Sequence, residues 1–280
     1  MIDAFRKVAL VEGVTTLLLF FVAPLAALFV RILQDVPEGG AWYSNYAQAF
    51  TSEIVRNIFI RTLRTGAIVT LVCLVLAYPY AYWLTVVSPR TRALLLVVVL
   101  IPFWTSLMVR TFAWQILLRD QGVVNDLLDL VGIGRLPLYK NIVGVTVGIA
   151  HILLPFAVMP MYGTMAGIDR RLLLAAESLG AHPFIAFLRV YVPLSLPGVV
   201  AGVTMVFVLS LGFFVTPQLL GSPTDSLISQ YMYQRVEKLG ETGVAGAIGF
   251  VLLWITLGIL ALANRVVRPD QAYVAGTAVQ

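Results

Sequence analysis

The sequence predicts an all-α membrane protein of six transmembrane helices, and three observations lead there. Apolar residues make up 60% of the 280-residue chain and the mean hydropathy is +0.92, far above the composition of a water-soluble domain. The charges are bunched, which leaves six windows free of Asp, Glu, Lys and Arg: 13–30, 65–89, 93–109, 141–168, 190–224 and 242–264. A helix needs about 20 mostly apolar residues to cross the hydrocarbon core. The windows are continuously apolar rather than alternating. Lipid admits only structures that pair every backbone group internally, helices or closed barrels, so helices follow.

Allowing for polar ends, the spans fall near 13–33, 65–87, 93–118, 142–166, 197–220 and 243–264. No window holds two ordinary spans with a connection, so the count is six, although the long fifth window has room for a bent entry or a re-entrant piece. The intervening segments are too short to bury a core of their own, so residues 1–280 are expected to form a single membrane domain.

Each element has its own signals. The first span follows Arg6 and Lys7, as a signal peptide would. Its apolar run is longer than a signal core and no small-x-small site closes it, so a retained span is expected, kinked at Pro24. Trp42, Tyr43 and Tyr46 read as interfacial aromatics, and 54–63 as an amphipathic surface helix before the second span. Tyr78, Pro79, Tyr80, Tyr82 and Trp83 cluster near the end of that span as a second aromatic belt. Cys73 stands alone, so no disulfide forms within the chain.

In the third span Pro102 breaks the helical ladder, with Thr105 and Ser106 placed to satisfy the freed carbonyls. Arg110 is either a functional group in the membrane or a side chain snorkelling to the interface. Phe103, Trp104, Phe112 and Trp114 offer ring faces to a cation or simply pack. The fourth span carries His151, whose simplest use is a hydrogen bond to a neighbouring helix, followed by Pro155 and Pro160. In the fifth, Pro217 and Gly221 open the helix and leave Thr216 and Gln218 as polar groups at the break. Gly243, Gly246 and Gly249 give the sixth a small-residue face.

Orientation rests on the basic residues. With both termini on the cytoplasmic side, that side holds nine of the 19 Lys and Arg but only five of the 14 acids. The short 87–92 loop has two Arg and no acid, which favours cytoplasmic termini; Arg56, Arg61 and Arg64 argue the other way.

The absences narrow the function. The chain has no P-loop, no H-E-x-x-H, no Cys/His metal spacing, and no nucleophile–base pair within a span. It is expected to bind no metal and no cofactor, and to be no enzyme. No Asp or Glu lies mid-span, where an ion-coupled transporter usually needs one. Energy must then arrive from elsewhere, and the segment after the fourth span is the candidate entry point.

That segment reads LAAESLGAHPFIAFLRVYVPLSLPG from Leu174 to Gly198. It resembles the cytoplasmic loop of ABC importer permeases, whose pattern runs E-A-A-x-x-x-G-A, an aromatic, then P-x-x-x-P. Ala175, Ala176, Gly180, Ala181, Phe187, Pro193 and Pro197 match; Leu174 stands in place of the Glu, and Glu177 lies about one turn later. Gly180 permits a sharp turn between two short helices. The small alanines admit a partner surface, and Arg170, Arg171 and Arg189 suit a polar interface. The stretches 61–84, 101–128 and 211–223 are similar to the spermidine/putrescine-type subgroup of that family.

The resemblance implies the type I importer permease fold, with a coupling loop over 167–196 that docks on a cytoplasmic ATPase. ATP and Mg would be bound by that partner. It also implies a second permease forming a heterodimer with this chain, an extracytoplasmic substrate-binding protein, a bacterial inner-membrane setting among lipid, and no nucleic acid. Polyamine is the implied substrate. The pathway would run past Phe103, Trp104, Thr105, Arg110, Trp114, Phe213, Thr216 and Gln218, although Arg110 equally suits a zwitterion or anion. A stand-alone secondary transporter and a non-transporting assembly protein are the competing readings.

Overall fold

A helix in lipid ends only where its loose backbone groups find other partners, and the helix boundaries of this chain follow that rule. The computed structural model describes residues 12–16, 18–36 and 40–266, and every regular element among them is helical. The reading of Arg6 and Lys7 and the placement of the termini lie outside the described residues. Five helices are long and apolar enough to cross a membrane, and a sixth crossing results if a sharply bent helix pair counts as one.

The chain divides into two compact units. The first comprises residues 12–57 and 230–255. It contains α1 (Ala23–Gln34, continuing a π-helical turn at Leu18–Val22), α2 (Ser44–Thr51), and most of α12 (Ile228–Leu239) and α13 (Thr242–Val266). Asp35 caps α13: its Oδ2 accepts from the Thr242 hydroxyl and the Gly243 N–H, both at 2.6 Å. Gly243 is needed there, because a Cβ would stand 2.5 Å from the Asp35 carbonyl oxygen. Gly246 faces Ile32 and Leu28, Gly249 faces Met232, and Phe29 meets Phe250 edge-on at 5.9 Å. The three glycines thus form a packing face.

The second unit is built on three long helices: α3 (Glu53–Val86, entering the unit at Ile58), α7 (Ile142–Ala166) and the run Pro183–Leu211. On α3 the buried residues Val69, Cys73, Ala77, Ala81 and Leu84 recur at helical spacing. They join Val145, Ile149, Leu153, Ala157 and Met161 of α7 in one core. Gly198 and Gly202 let the fifth span lie on α7: Cβ atoms there would come within 2.6 Å of Thr164 Oγ1 and 2.9 Å of the Ala157 carbonyl. No reading of the sequence singled out that pair as a contact.

Three expectations need correction. Residues 54–63 are not a separate surface helix; they are the first turns of α3. Gly66, at the start of the expected span, stays helical and packs closely on Ser210 and Leu211. The fifth span begins at Pro183 rather than 197. A π-helical turn at Phe187–Tyr191 absorbs the missing N–H of Pro193, so α9 (Pro183–Ala186) runs on into α10 (Val192–Leu211). The same span ends at Leu211, not 220. The break lies at Gly212–Phe214, and Pro217 falls in the first turn of α11 (Val215–Leu220), where its absent N–H would have had no helical partner.

The third span is bent by 101° between α4 (Pro89–Leu100) with the 3-10 turn Ile101–Trp104 and α5 (Leu107–Leu117). Pro102 sits in that turn. Its own carbonyl accepts from Thr105 N at 3.2 Å and Thr105 Oγ1 at 3.0 Å, which closes the turn; the carbonyl freed by the missing Pro102 N–H lies one turn earlier. The remaining helices are α6 (Val123–Leu130) and α8 (Arg171–Ser178).

Two outcomes are expected for the first unit. Gly243→Ala should destabilise the folded chain by about 1–3 kcal/mol through overpacking against backbone, read as a lowered Tm. The two bonds from Thr242 and Gly243 also hold the Asp35 carboxyl below its ordinary value. Its contribution is therefore present above the unfolded carboxylate pKa and is lost as pH falls through the lower folded one. Asp35→Asn should flatten that acid-side part of the stability profile.

Candidate functional site

The segment singled out after the fourth span is an exposed short helix held by buried anchors. α8 ends in a Schellman turn: the Ala181 N–H reaches the Ala176 carbonyl at 3.1 Å and the Gly180 N–H reaches Glu177 at 2.9 Å. Gly180 takes φ +87°, which an L side chain would adopt only with strain. His182 Nδ1 then accepts from the Phe184 N–H at 3.3 Å and starts the next helix. At its beginning, Asp169 accepts from the Arg171 N–H at 2.9 Å.

Two contacts tie this segment to α3. The Arg170 guanidinium donates to the Thr85 carbonyl at 2.8 Å and to its hydroxyl at 3.3 Å. Phe187 stacks on Tyr191 at 5.2 Å, and Tyr82 meets both rings edge-on at 5.4 and 5.2 Å. Each such ring pair contributes about 0.5–1.5 kcal/mol beyond its burial. Tyr191 is only 2% exposed, so this cluster is core.

The other side of the segment is uncovered. Leu179 is 89% exposed, and Leu172, Leu174, Phe184, Ile185 and Leu188 are exposed with it. Arg171, Glu177 and Arg189 are also exposed, and none of the three forms a salt bridge among the described residues. The arrangement is an apolar surface with charges around it on a rigid mount. Pro193 and Pro197 belong to α10 instead, and Ala175, Ala176 and Ala181 line the helix and its turn.

The candidate pathway residues separate into two groups. Phe103, Trp104, Thr105 and Gln218 are exposed, Trp104 by 79%, although Phe103 also meets Phe156 at 5.1 Å. Arg110, Trp114, Phe213 and Thr216 are wholly or partly buried. α5 packs against α7 and α11, and polar bonds cross both contacts. Trp114 Nε1 donates to His151 Nδ1 at 3.1 Å, and Thr111 and Thr216 share a hydroxyl contact of 3.4 Å. Gln115 Nε2 donates to the Tyr139 hydroxyl at 2.6 Å. His151 is therefore the hydrogen-bonded histidine its position suggested. Arg110 keeps a buried Nε with no hydrogen-bond partner. Where the fifth span breaks, the Phe213 carbonyl accepts from Ser229 Oγ at 2.5 Å.

Sequence reading missed Thr85, Tyr82 and Tyr191 as anchors, because aromatics near a helix end also fit an interfacial belt. It missed Thr111 because an isolated threonine in an apolar run carries no pattern. Among the described residues no group of three His, Cys, Asp or Glu is placed to hold a metal.

Comparison with known proteins places this architecture. The model of the binding-protein-dependent transport system inner membrane component family matches residues 74–268. The spermidine/putrescine transport system permease protein PotB of Haemophilus influenzae is 30% identical over 277 residues, covering 95% of this chain and 96% of that one. PotB of Escherichia coli K12 is 33% identical over 208 residues, covering 74% and 75%. In three dimensions the chain resembles one from the crystal structure of a bacterial alginate ABC transporter in complex with an alginate pentasaccharide-bound periplasmic protein. The TM-score is 0.73 at 20% identity, over 95% of this chain and 94% of that one. A stand-alone secondary transporter is thereby set aside: with its bent third span, broken fifth span and mounted surface helix, this chain belongs to the binding-protein-dependent transport system inner membrane components, the permease subunits of ABC importers.

Proposed function

We propose that this permease forms half of a polyamine pathway and is driven through the 170–189 segment by a cytoplasmic ATPase. The single observation that carries the coupling role is the pairing of an exposed apolar surface, from Leu172 to Leu188, with the Arg170–Thr85 and Tyr82–Phe187–Tyr191 anchors. The part of that surface outside the spans, Leu172, Leu174 and Leu179, calls for a protein partner. A force applied to α8 passes into α3 without a flexible joint. ATP and Mg belong to the ATPase pair, and this chain binds neither. Both termini lie in the cytoplasm, in keeping with the arginines of the 87–92 loop, so α8 faces the ATPase and the loop after α1 faces an extracytoplasmic binding protein. A second, different permease completes the channel.

Polyamine as substrate rests on the PotB relatives, which are named for spermidine and putrescine. The exposed rings of Phe103 and Trp104 offer weak cation–π contacts, which let a polycation pass without trapping it. No carboxylate lies within the spans, so the second permease supplies the acids. Arg110 then acts as a fixed positive charge that the substrate passes rather than binds.

Two measurements test this reading in proteoliposomes with the complete importer. Leu179→Glu should leave Tm nearly unchanged, as exposed substitutions do, and reduce ATP hydrolysis stimulated by loaded binding protein at least about tenfold. Gly180→Trp should do the same with some loss of stability, and retention of coupling in both variants would remove the docking role. For the substrate, Arg110→Met should change spermidine uptake by less than about threefold. A loss of tenfold or more would overturn the passing role of Arg110, since a buried charged contact is worth at least that much, and absence of spermidine uptake by the unmodified importer would exclude the polyamine reading.

A further inference from the structure

The C-terminal end of α3 is tied to two neighbours, and the coupling role uses only one of them. A helix leaves its last four carbonyls without intrahelical partners. α3 ends at Val86, and a turn of Val87 and Ser88 leads into α4 at Pro89. The Val87 N–H takes the Trp83 carbonyl at 3.2 Å. The next two carbonyls go to arginines from different elements. Arg92 Nε, in the first turn of α4, donates to the Leu84 carbonyl at 2.9 Å, and the Arg170 guanidinium donates to the Thr85 carbonyl at 2.8 Å. A second nitrogen of Arg92 reaches the Val87 carbonyl at 3.5 Å. Neither arginine forms a salt bridge among the described residues, and both charges stand at the negative end of the α3 dipole.

The tyrosines of α3 repeat the division. Tyr82 meets the Phe187 and Tyr191 rings, and the Tyr78 hydroxyl lies 3.0 Å from Ser195 Oγ on α10. The Tyr80 hydroxyl instead donates to the Leu95 carbonyl of α4 at 2.8 Å. At 3.6 residues per turn, Tyr78 and Tyr82 share a face and Tyr80 lies on the opposite one. The aromatic cluster is thus a two-sided joint, with the coupling segment and α10 on one side and α4 on the other. α4 itself runs on into the 101° bend at Pro102, beside Phe103 and Trp104.

Resting on the coupling role proposed for residues 170–189, we infer that Arg92 is a positioning residue for transport. It pins α4 to the end of α3 that the coupling segment holds, so a displacement of that segment is carried into the bent third span. The covalent turn fixes the distance between the two helix ends but not the angle between their axes. The Arg92 and Tyr80 bonds, at two levels, fix the angle. An arginine suits the place because its fork presents N–H groups to two carbonyls across the turn. Val99 of α4 is buried in the core of the second unit, so the helix stays folded and packed when Arg92 is removed.

The complete importer in proteoliposomes provides the test, with solute uptake and ATP hydrolysis measured together. The transported probe is spermidine or, should the unmodified importer not take it up, the solute recovered from the purified binding protein. Arg92→Met should keep stimulated ATP hydrolysis within about twofold and lower the solute imported per ATP about tenfold, the worth of a hydrogen bond from a charged donor. Arg92→Lys keeps the charge and an N–H donor and should restore that ratio to within about threefold. An unchanged ratio in Arg92→Met, while Leu179→Glu abolishes stimulation, overturns the role of Arg92 and leaves the coupling role standing. Retained stimulation in Leu179→Glu overturns both. A proportional loss of hydrolysis and uptake with a lowered Tm makes Arg92 structural support only, which also overturns the inference. If Arg92→Met does not assemble, Tyr80→Phe carries the same test by removing the Leu95 bond alone. A ratio lowered about threefold then supports the joint, and an unchanged one overturns it.

Discussion

The hydrocarbon interior offers no hydrogen-bond partner, and the rest of this structure depends on that constraint. Straight helices meet it automatically. The informative places are those where the chain stops being a straight helix and each loose group still has to be paired. At Pro102 the residue's own carbonyl is taken by Thr105, and at Gly212–Phe214 the Phe213 carbonyl is taken by Ser229. At Pro193 the ladder shifts to a π-helical turn instead of breaking. Each device changes the chain's direction or register. The two true breaks free the short helices α5 and α11, which pack on one another and bring Thr111 to Thr216.

Mechanical continuity is the second theme. A helix that transmits force needs both an exposed contact surface and an incompressible base. The segment from Arg170 to Arg189 has both, because its turn residues are exposed while its returning helix carries Ala186 and Tyr191 into the core. Packed ring clusters behave as solids rather than liquids. The Tyr82, Phe187 and Tyr191 rings therefore join the returning helix to α3, and the Arg170 bond to Thr85 adds a polar tie just before α8.

Charge is distributed with the same economy. No carboxylate lies mid-span, and Arg110 on the bent span keeps a buried Nε without a hydrogen-bond partner. The acids gather instead in the connecting segments. One of them, Asp35, both caps α13 and lines a pocket beside Asn45. A single side chain thus links the packing of the first unit to a polar pocket.

The sequence by itself determined the helical class and the position of the surface segment, because these depend on composition along the chain; of its six expected crossings, five stand as long apolar helices among the described residues and the sixth depends on the bent pair. Continuous apolar runs admit only helices in lipid, and the Leu174–Gly198 pattern is local, so its glycine and its prolines can be read without knowing what they touch. The fourth span, free of competing signals, was legible to the residue: Ile142–Ala166. Tertiary structure decided what depends on distant neighbours. Whether Gly66 ends a helix was settled by Ser210 and Leu211, and whether Pro217 breaks a span by a stop five residues earlier at Gly212. The partner of His151 lies 37 residues away at Trp114, and the anchors of α8 on α3 lie about a hundred residues before it. No window of sequence contains those pairs. Only the packing of one helix on another, through glycines such as Gly198 and Gly202, brings them within reach.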